Sequence, residues 1–595
     1  MIHDMLTAEE AKSALEFALS RLEMHIDVGF GDGKWSDWLE PYKKPEENVA
    51  GLIWAFLGSP NVGVRWDAVH AVKRIARFNG KDLLEHLMNC VKNNSVGCFG
   101  YKGFPFYNLN AHLYLLFALN RIAIDEPKQV VPYVQELIDY VNWDIPHALI
   151  QRIAINTIRR IQLFFPGLIN KDKYKELIAM GESQFPVKIV SCDEYYAAKE
   201  KDDEDKRRFF HGYDFERYWF GPLGKIFGVP ENFISRYASE VIIDEWKIHN
   251  GGGYKQEPRA SIFTSRRYED YYYSHSSRPK LENYQFYLSF HSMFVVAARL
   301  LKGKPMVIMQ DDDNTDPWFE WIIDYEVTRP DGYLLADARG CIPAETPAWM
   351  SSEKGKDWRT GIVAEDYINN IITKDGRLCV DGIWENWQEP YSEEIWVASA
   401  LVSREASQAL MLALMGYKNS HDYKLPDYGE DDWQQDNAPF VLRGWIKSEY
   451  SKYGLDDYDI WSGGIRYPNA EPGEDFINCL GLTVNKLSTQ WFDNKNELAI
   501  ECINWSRLRR NKNNVENKIG SKLLVTIETA KALCQKTEMN LIIEVQINRR
   551  IMESYYHDVK KDDGYRPPAH MIYLFTEEGV LIDENGIVNF GKKNN

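Results

Sequence analysis

Three segments in the first part of the chain share one pattern, in which small residues recur and an Arg-Ile pair ends the segment. The three copies are 68–75, 115–122 and 154–161. Their arginines, Arg74, Arg121 and Arg160, are 47 and 39 residues apart, close to the period of two-helix HEAT or armadillo units. The spacing predicts a HEAT-like α-solenoid over residues 1–190, with the three arginines at equivalent positions on successive helices. A generic helical bundle is the alternative.

The rest of the chain divides by periodicity into two further parts. Residues 191–330 continue as helices around a long segment, 250–279, that is rich in glycine and tyrosine. Residues 331–595 show short apolar runs that predict strands at 332–336, 378–382, 395–401 and 540–547, with a helix at 403–414 that begins after Ser403. We therefore predict a multidomain fold, an α-helical region followed by a mixed α/β (α+β) module.

Composition limits the partners of this chain. It has 595 residues and a formal charge of −18, which argues against general nucleic-acid binding, because contacts with phosphates need an excess of positive charge. The longest apolar runs are far shorter than the ~20 residues that a membrane helix needs. The N-terminus has no signal-peptide pattern, and no two of the eight cysteines form a C-x-x-C pair. We expect a cytoplasmic protein with reduced thiols and no membrane partner.

Several motifs of catalysis and cofactor binding are missing from the sequence. It contains no G-x-x-x-x-G-K-[ST] phosphate loop, no G-x-S-x-G elbow and no H-E-x-x-H zinc motif. We therefore expect no cofactor. The isolated chain should neither bind nor hydrolyse ATP, and saturable binding of ATP in calorimetry would contradict this prediction.

An acidic run at 311–316 resembles a calcium loop but does not fit its template. Counted from Asp311, the sixth and twelfth positions hold Asp316 and Ile322, where a calcium loop needs Gly and Glu. Asp316 followed by Pro317 instead predicts the N-cap and first residue of a helix. We therefore predict no metal site here.

A second interpretation of the last part of the chain is catalytic. Glu544 and Gln546 end an apolar strand, in an order similar to the acidic pair of metal-dependent nucleases, although Gln546 stands where such sites usually have Lys. A metal site of this kind needs a second carboxylate, which would be Glu501 or Glu528. The alternative function is thus a metal-dependent nuclease or other hydrolase around Glu544, and a solvent-facing strand carboxylate is the simpler explanation.

The aromatic residues are the strongest positive signal, because many of the 19 tryptophans and 34 tyrosines lie in polar segments. One eight-residue window combines cations and tyrosines after a triple glycine: Arg266, Arg267, Tyr268, Tyr271, Tyr272 and Tyr273. Exposed tyrosines give a large contact area with few rotors to immobilise. The window predicts a protein-binding loop, and packing of the tyrosines onto neighbouring helices is the alternative.

Several segments resemble one family of bacterial proteins. They are 6–19, 30–35 (FGDGKW), 51–71 (GLIWAFLGSPNVGVRWDAVHA), 399–410 (SALVSREASQAL), 455–461 (LDDYDIW) and 465–468 (IRYP). They are similar to the C-terminal region of large STAND-type (NACHT- or AVAST-like) antiphage NTPases. In that family an effector and an NTPase module precede a repeat-built region that senses a foreign protein. The motifs of those two modules are missing here, so no catalytic residue carries over.

The resemblance and the aromatic surface together give the expected function. We expect a non-catalytic sensor or scaffold of a bacterial antiphage defence system, whose partner is a phage protein or a partner NTPase or effector. The sequence leaves open the ligand, the oligomeric state and whether the chain belongs to a larger protein.

Overall fold

The computed structural model describes most of the chain. The described residues are 7–23, 36–93, 96–100, 104–191, 209–249, 275, 277–310, 316–341, 358, 361–362, 367–373, 375–388, 391–416, 424–430, 441–448, 454–462, 465–511, 514–551 and 569–588. The chain forms two compact units, Met1–Glu326 and Val327–Asn595. The predicted division of the first unit near residue 190 stays a prediction.

The described part of the first unit is almost entirely helical. Its α-helices are α1 (Ala8–Glu23), α2 (Pro45–Leu57), α3 (Val62–Arg77), α4 (Lys81–Asn93), α5 (Asn108–Asp125), α6 (Pro127–Val130), α7 (Val134–Val141), α8 (Ala148–Phe164), α9 (Lys171–Ala179), α10 (Tyr213–Phe215), α11 (Gly221–Phe227), α12 (Glu231–Glu240), α13 (Tyr284–Gly303) and α14 (Pro317–Ile323). Two π-helical turns, Glu216–Phe220 and Val241–Glu245, continue α10 and α12. Two short strands, β1 (Lys188–Val190) and β2 (Val307–Met309), pair in parallel.

The three repeated arginines lie on α3, α5 and α8. Helix α3 packs on α5 and α5 packs on α8, and Arg160 Nε donates to Asn120 Oδ1 on α5 at 3.0 Å. Helix α5 is buried at nearly every position, polar residues such as Asn110 and His112 included, which makes it a central helix of this unit. The helical character of this region is clear, while the HEAT-like solenoid stays a prediction.

The helix start predicted at Asp316 is confirmed. The Asp316 side chain accepts a hydrogen bond from Phe319 N at 2.9 Å, and Pro317 is the first residue of α14. The aspartates at 311–313 lie outside the described residues.

The second unit is built around one large antiparallel sheet. Its strands are β3 (Arg377–Gln388), β4 (Tyr391–Ser403), β5 (Leu442–Gly444), β8 (Thr483–Val484), β9 (Gln490–Phe492), β10 (Leu498–Asn511), β11 (Asn514–Thr526), β12 (Met539–Ile551), β13 (Ala569–Phe575), β14 (Leu581–Asp583) and β15 (Gly586–Val588). Their order is β15-β14-β13-β12-β4-β3-β11-β10-β9-β8, and β5 pairs with the end of β4. A small separate pair is formed by β6 (Ile446–Lys447) and β7 (Glu471–Pro472).

Helices follow two of the hairpins of this sheet without a linker. These helices are α16 (Arg404–Met415) and α18 (Ile527–Thr537), and the unit also contains the short helices α15 (Ile368–Ile371) and α17 (Glu474–Leu480). Ser403 is the N-cap of α16, as predicted. The strand predicted at 332–336 is wrong, because Leu335–Ala338 forms a 3-10 helix whose turn is held by Asp337.

Alternation of side chains along the central strands divides the core in two. Leu541, Ile543 and Val545 of β12 belong to the larger cluster, which also takes in apolar residues of α18. Ile542 faces the other way, into a smaller cluster with Leu410 and Met411 of α16. A strand buried on both faces is continuous in its hydrophobicity, which is the pattern of 541–543.

Two general features complete the description. Within the described parts of the chain, none of the helices combines the length and hydrophobicity needed to cross a bilayer. Seven of the eight cysteines are described and none of these seven is in a disulfide. Three of them, Cys379, Cys502 and Cys534, are buried in the second unit, as small core residues are expected to be.

Candidate functional site

A single row of side chains crosses six strands on one face of the large sheet. Its members are neighbours in the strand register: His570, Gln546, Trp396, Ile383, Ser521 and Asn504. Side chains two positions away along a strand lie on the same face, so Glu544, Glu394 and Asp381 flank the row. We call this surface the polar face. It brings together residues that are far apart in sequence.

One end of the polar face holds a carboxylate with two hydrogen-bonding partners. His570 Nε2 lies 2.5 Å from Glu544 Oε1, and Gln546 Nε2 donates to the same oxygen at 2.9 Å. Glu544 is buried, next to the apolar cluster beneath α16, whereas His570 is partly exposed. A carboxylate and an imidazole in contact can share a proton. Gln546, in the place where a nuclease would have Lys, orients the carboxylate instead.

Trp396 occupies the middle of the polar face. Its side chain is 51% exposed, although it lies on a central strand with Gln546 on one side and Ile383 on the other. Next to it along β4, Glu394 accepts a hydrogen bond from Arg550 at 3.5 Å. A large aromatic ring surrounded by polar groups is the composition that protein-binding hot spots favour.

At the other end of the polar face, one buried hydrogen-bond acceptor lacks a donor. Asn504 is 1% exposed, and its Oδ1 has no hydrogen-bond partner within the described structure. Its Nδ2, in contrast, donates to Asn469 Oδ1 at 3.1 Å. Ser521, beside Asn504 in the register, is buried as well. An unpaired acceptor in such a place costs about 1–3 kcal/mol, so it calls for a partner.

Burial and nearby charged side chains shift the pKa of Asp381. Burial raises the pKa of Asp381 to about 7, and the nearby carboxylate of Asp427 adds to this rise, while Arg466 and Lys424 oppose it. Burial in turn lowers the pKa of Arg466 to about 10, although Asp381 and Glu394 favour its charged form. Asp381 thus changes charge near neutral pH, in a site where one more cation would keep it ionised.

The structure does not assemble the predicted nuclease site. Glu544 lies on β12 and Glu501 on β10, four strand positions apart, which is about 19 Å at ~4.8 Å per strand. Two-metal sites need ligands around ions only ~4 Å apart. Glu501 pairs instead with Arg377 and accepts from Gln490 Nε2 at 2.8 Å. Glu528 is exposed in the first turn of α18. Only Gln546, of the three predicted companions, contacts Glu544.

Two further predictions concern the tyrosine-rich loop and the absence of a metal site. The loop residues Arg266, Arg267, Tyr268, Tyr271, Tyr272 and Tyr273 lie outside the described residues. For metals, the described chain contains no group of three or more His, Cys, Asp or Glu side chains arranged to hold an ion.

Sequence reasoning missed His570, Trp396, Asp381 and Asn504 as members of one site. They come from four different strands, and their meeting depends on strand order, for which a single sequence carries no signal. Side chains alternate in direction along 394–398, so Trp396 lies on the face of the strand opposite to the buried Ile395 and Val397. This pattern could have identified Trp396 as an outward-facing aromatic residue.

No protein-family model matches the chain, and no curated protein matches it.

Proposed function

We propose that this chain is a non-catalytic protein-recognition component of a bacterial antiphage defence system, which acts in the cytoplasm and binds its protein partner through the polar face. The observation that carries this proposal is Trp396, half exposed at the centre of the large sheet. The resemblance to the sensor regions of STAND-type antiphage NTPases supplies the biological context. The HEAT-like solenoid and the Tyr271–Tyr273 loop remain part of the proposal as further recognition elements.

Physical reasoning supports recognition by this surface. Tryptophan exposes a wide apolar area whose removal from water is favourable, and the polar groups around it can exclude solvent from the contact. A rigid sheet holds these groups in place, so little conformational entropy is lost when a partner binds. A buried anchor of this kind typically contributes ~2–4 kcal/mol to affinity.

Replacement of Trp396 by Ala tests the proposal. The gene and its chromosomal neighbours are expressed in a bacterial host, and the efficiency of plating of a phage panel is measured. We expect the wild-type chain to protect against at least one phage and Trp396→Ala to lose that protection, while expression and melting temperature stay unchanged. Val484→Ala, at a 52% exposed apolar side chain on the short strand β8 of the same unit, is the control and should retain protection.

Two results would contradict the proposal. The first is that the wild-type locus protects against none of the phages in the panel. The second is that Trp396→Ala and Val484→Ala protect equally well.

A further inference from the structure

We propose that helix α1 packs against the outer side of α2, where three exposed apolar side chains form its docking site. The interaction lies within the first unit. It does not depend on the recognition function proposed for the polar face of the second unit.

Helix α2 is apolar on both of its sides. From Val49 to Leu57 it consists of apolar residues and one glycine. A helix that is hydrophobic all round is normally buried all round. The inner side of α2 is buried, but Val49, Leu52 and Phe56 on the outer side are 45%, 40% and 41% exposed. Their spacing of three and four residues places them in one row, which we call the α2 stripe.

The size of the α2 stripe favours a segment of the same chain as its occupant. More than half of each of the three side chains is already buried. A stable interface between separate molecules buries about 800 Å² on each partner, and three partly exposed side chains fall well short of this area. A connected segment needs a smaller area, because its connection to the site gives it a high effective concentration.

Helix α1 has an apolar face of matching length and spacing. Helical periodicity of its sequence assigns Leu15, Leu19 and Leu22 to one face and most of its charged residues to the other. These leucines are four and three residues apart, and the members of the α2 stripe are three and four residues apart. The two patterns therefore coincide when the helices run antiparallel. Each extends over seven residue steps, about 10 Å of helix.

The connection between the two helices permits this packing. Helix α1 ends at Glu23 and α2 begins at Pro45, so 21 residues, 24–44, join them. Antiparallel packing brings the end of α1 close to the start of α2. At about 3.3 Å per residue, a connection of this length reaches any point along α2.

The stability of α1 gives an independent reason for a docking site. A lone helix of 16 residues is only marginally stable in water. Within the described residues, the contacts of α1 are local, such as the Lys12–Glu16 pair at 3.9 Å and Arg21 over the ring of Phe17 at 5.1 Å. Pairs of this kind add little to helix stability. Packing on the α2 stripe would supply the apolar burial that α1 needs.

Hydrogen exchange of the intact chain tests the proposal, because it reports directly on the amides of α1. We expect these amides in the wild type to exchange about tenfold or more slowly than their intrinsic rates. Leu52→Asp places a charge in the middle of the α2 stripe. It should return α1 to near-intrinsic rates, while α5 and α8 keep their protection. Leu19→Asp should have the same effect from the other side of the contact.

Leu163→Asp is the matched control, since it adds the same charge at a 79% exposed leucine in the last turn of α8. It should leave the exchange of α1 unchanged. Leu52→Asp alters no residue of α1, so its effect is separate from any change in the helix propensity of α1. Leu19→Asp keeps the test valid if Leu52→Asp fails to fold.

Three results overturn the proposal. The first is a wild-type α1 that exchanges at its intrinsic rates. The second is equal protection of α1 in the wild type and in Leu52→Asp. The third is protection that rises with protein concentration over a hundredfold range, because α1 would then pack on a second copy of the chain.

Discussion

Replacement of Glu282 by Ala is expected to destabilise the first unit by about 3–5 kcal/mol, because it leaves two buried arginines without their anion. Arg65 donates to both carboxylate oxygens of Glu282, at 2.8 and 2.9 Å, and Arg278 Nε donates to it at 2.8 Å. Asn110 Nδ2 adds a fourth bond at 2.9 Å. Arg65 and Glu282 have side-chain exposures of 0% and 1%, so water cannot replace the lost partner.

This ion cluster joins two distant parts of the chain. The segment that contains Glu282 follows the glycine- and tyrosine-rich stretch, and it is held to the start of α3 by the backbone bonds Val62 N to Lys280 O and Glu282 N to Pro60 O, at 3.0 and 2.9 Å. Burial disfavours the ionised Glu282, but Arg65 and Arg278 outweigh this effect and lower its pKa to about 2. In the folded protein the carboxylate therefore stays charged down to about pH 2.

Hydrogen exchange under increasing urea measures the effect in the intact chain, from peptides of α3 and α5. The control is Glu245→Ala, which breaks a bidentate pair with Arg299 in the same unit, at side-chain exposures of 40% and 26%. Exposed pairs contribute at most about 1 kcal/mol. If Glu282→Ala costs no more than Glu245→Ala, the cluster has no special structural role.

Local elements of this fold follow from sequence, but their pairing does not. Asp316-Pro317 marked a helix start because the Asp316 side chain bonds within the first turn. Ser403 also holds an N-cap position, although its hydroxyl accepts from Val441 N rather than from the helix. The strand predicted at 378–382 is present but continues to Gln388, because β11 supplies hydrogen bonds to the polar residues that follow. Tertiary pairing thus overrode the weak local β-propensity of Glu385 and Asn386.

The candidate site was predictable only in part, for a similar reason. Glu544 and Gln546 share a face because they are two residues apart on a strand, and this relation is local. His570 joins them through the pairing of β12 with β13, and Asn504 joins through three further strands. The suggested pairing of Glu544 with Glu501 fails because three strands separate β12 from β10, and a single sequence carries no signal of that order.

Acidification from pH 7 to pH 5 is expected to unfold the first unit before the second. Three buried histidines of the first unit carry the effect. Burial lowers the pKa of His112 to about 4 and of His147 to about 3, and burial together with His147 holds the pKa of His291 well below its usual range.

Their hydrogen bonds fix each of the linked imidazoles in a neutral form. His147 Nδ1 accepts from Ile150 N, so its proton lies on Nε2, which donates to His291 Nδ1 at 3.0 Å. His291 Nε2 then donates to Asn110 Oδ1 at 3.0 Å, and Asn110 donates to Glu282. An added proton on either ring would place a donor against a donor, which the fold cannot accommodate without local opening.

The direction of this pH effect follows from the difference in proton binding between the unfolded and the folded chain. Below pH 6.5 the unfolded chain takes up protons at these histidines while the folded chain does not, so the free energy of unfolding falls as pH falls. Each histidine contributes about 1.4 kcal/mol per pH unit, hence about 6 kcal/mol for three between pH 6.5 and 5. That is comparable with the whole stability of many domains. Glu282 keeps its charge in the folded state down to about pH 2, so its contribution to stability is complete above its ordinary pKa of 4.5 and is unaffected between pH 7 and pH 5.

In the second unit, two aspartates have the opposite effect on the free energy of unfolding as pH falls. Burial raises the pKa of Asp381 to about 7 and of Asp456 to about 6, so the folded unit takes up these protons first and gains stability as pH falls from 7 towards 4. Hydrogen exchange at pH 7 and pH 5, corrected for intrinsic rates, should therefore show lost protection in α5 and α8 but not in β11 and β12.

The double variant His112→Phe/Tyr140→Phe isolates one of the three histidines. It removes the imidazole together with the hydroxyl group that lies 2.6 Å from its Nδ1, so that neither partner is left unpaired. The pH dependence of unfolding of the first unit should then fall by about one third, because one of three equal proton uptakes is gone. His249→Gln, at an exposed histidine of the same unit, should leave the dependence unchanged. A wild-type first unit that is as stable at pH 5 as at pH 7 would show that these rings accept protons in the folded state.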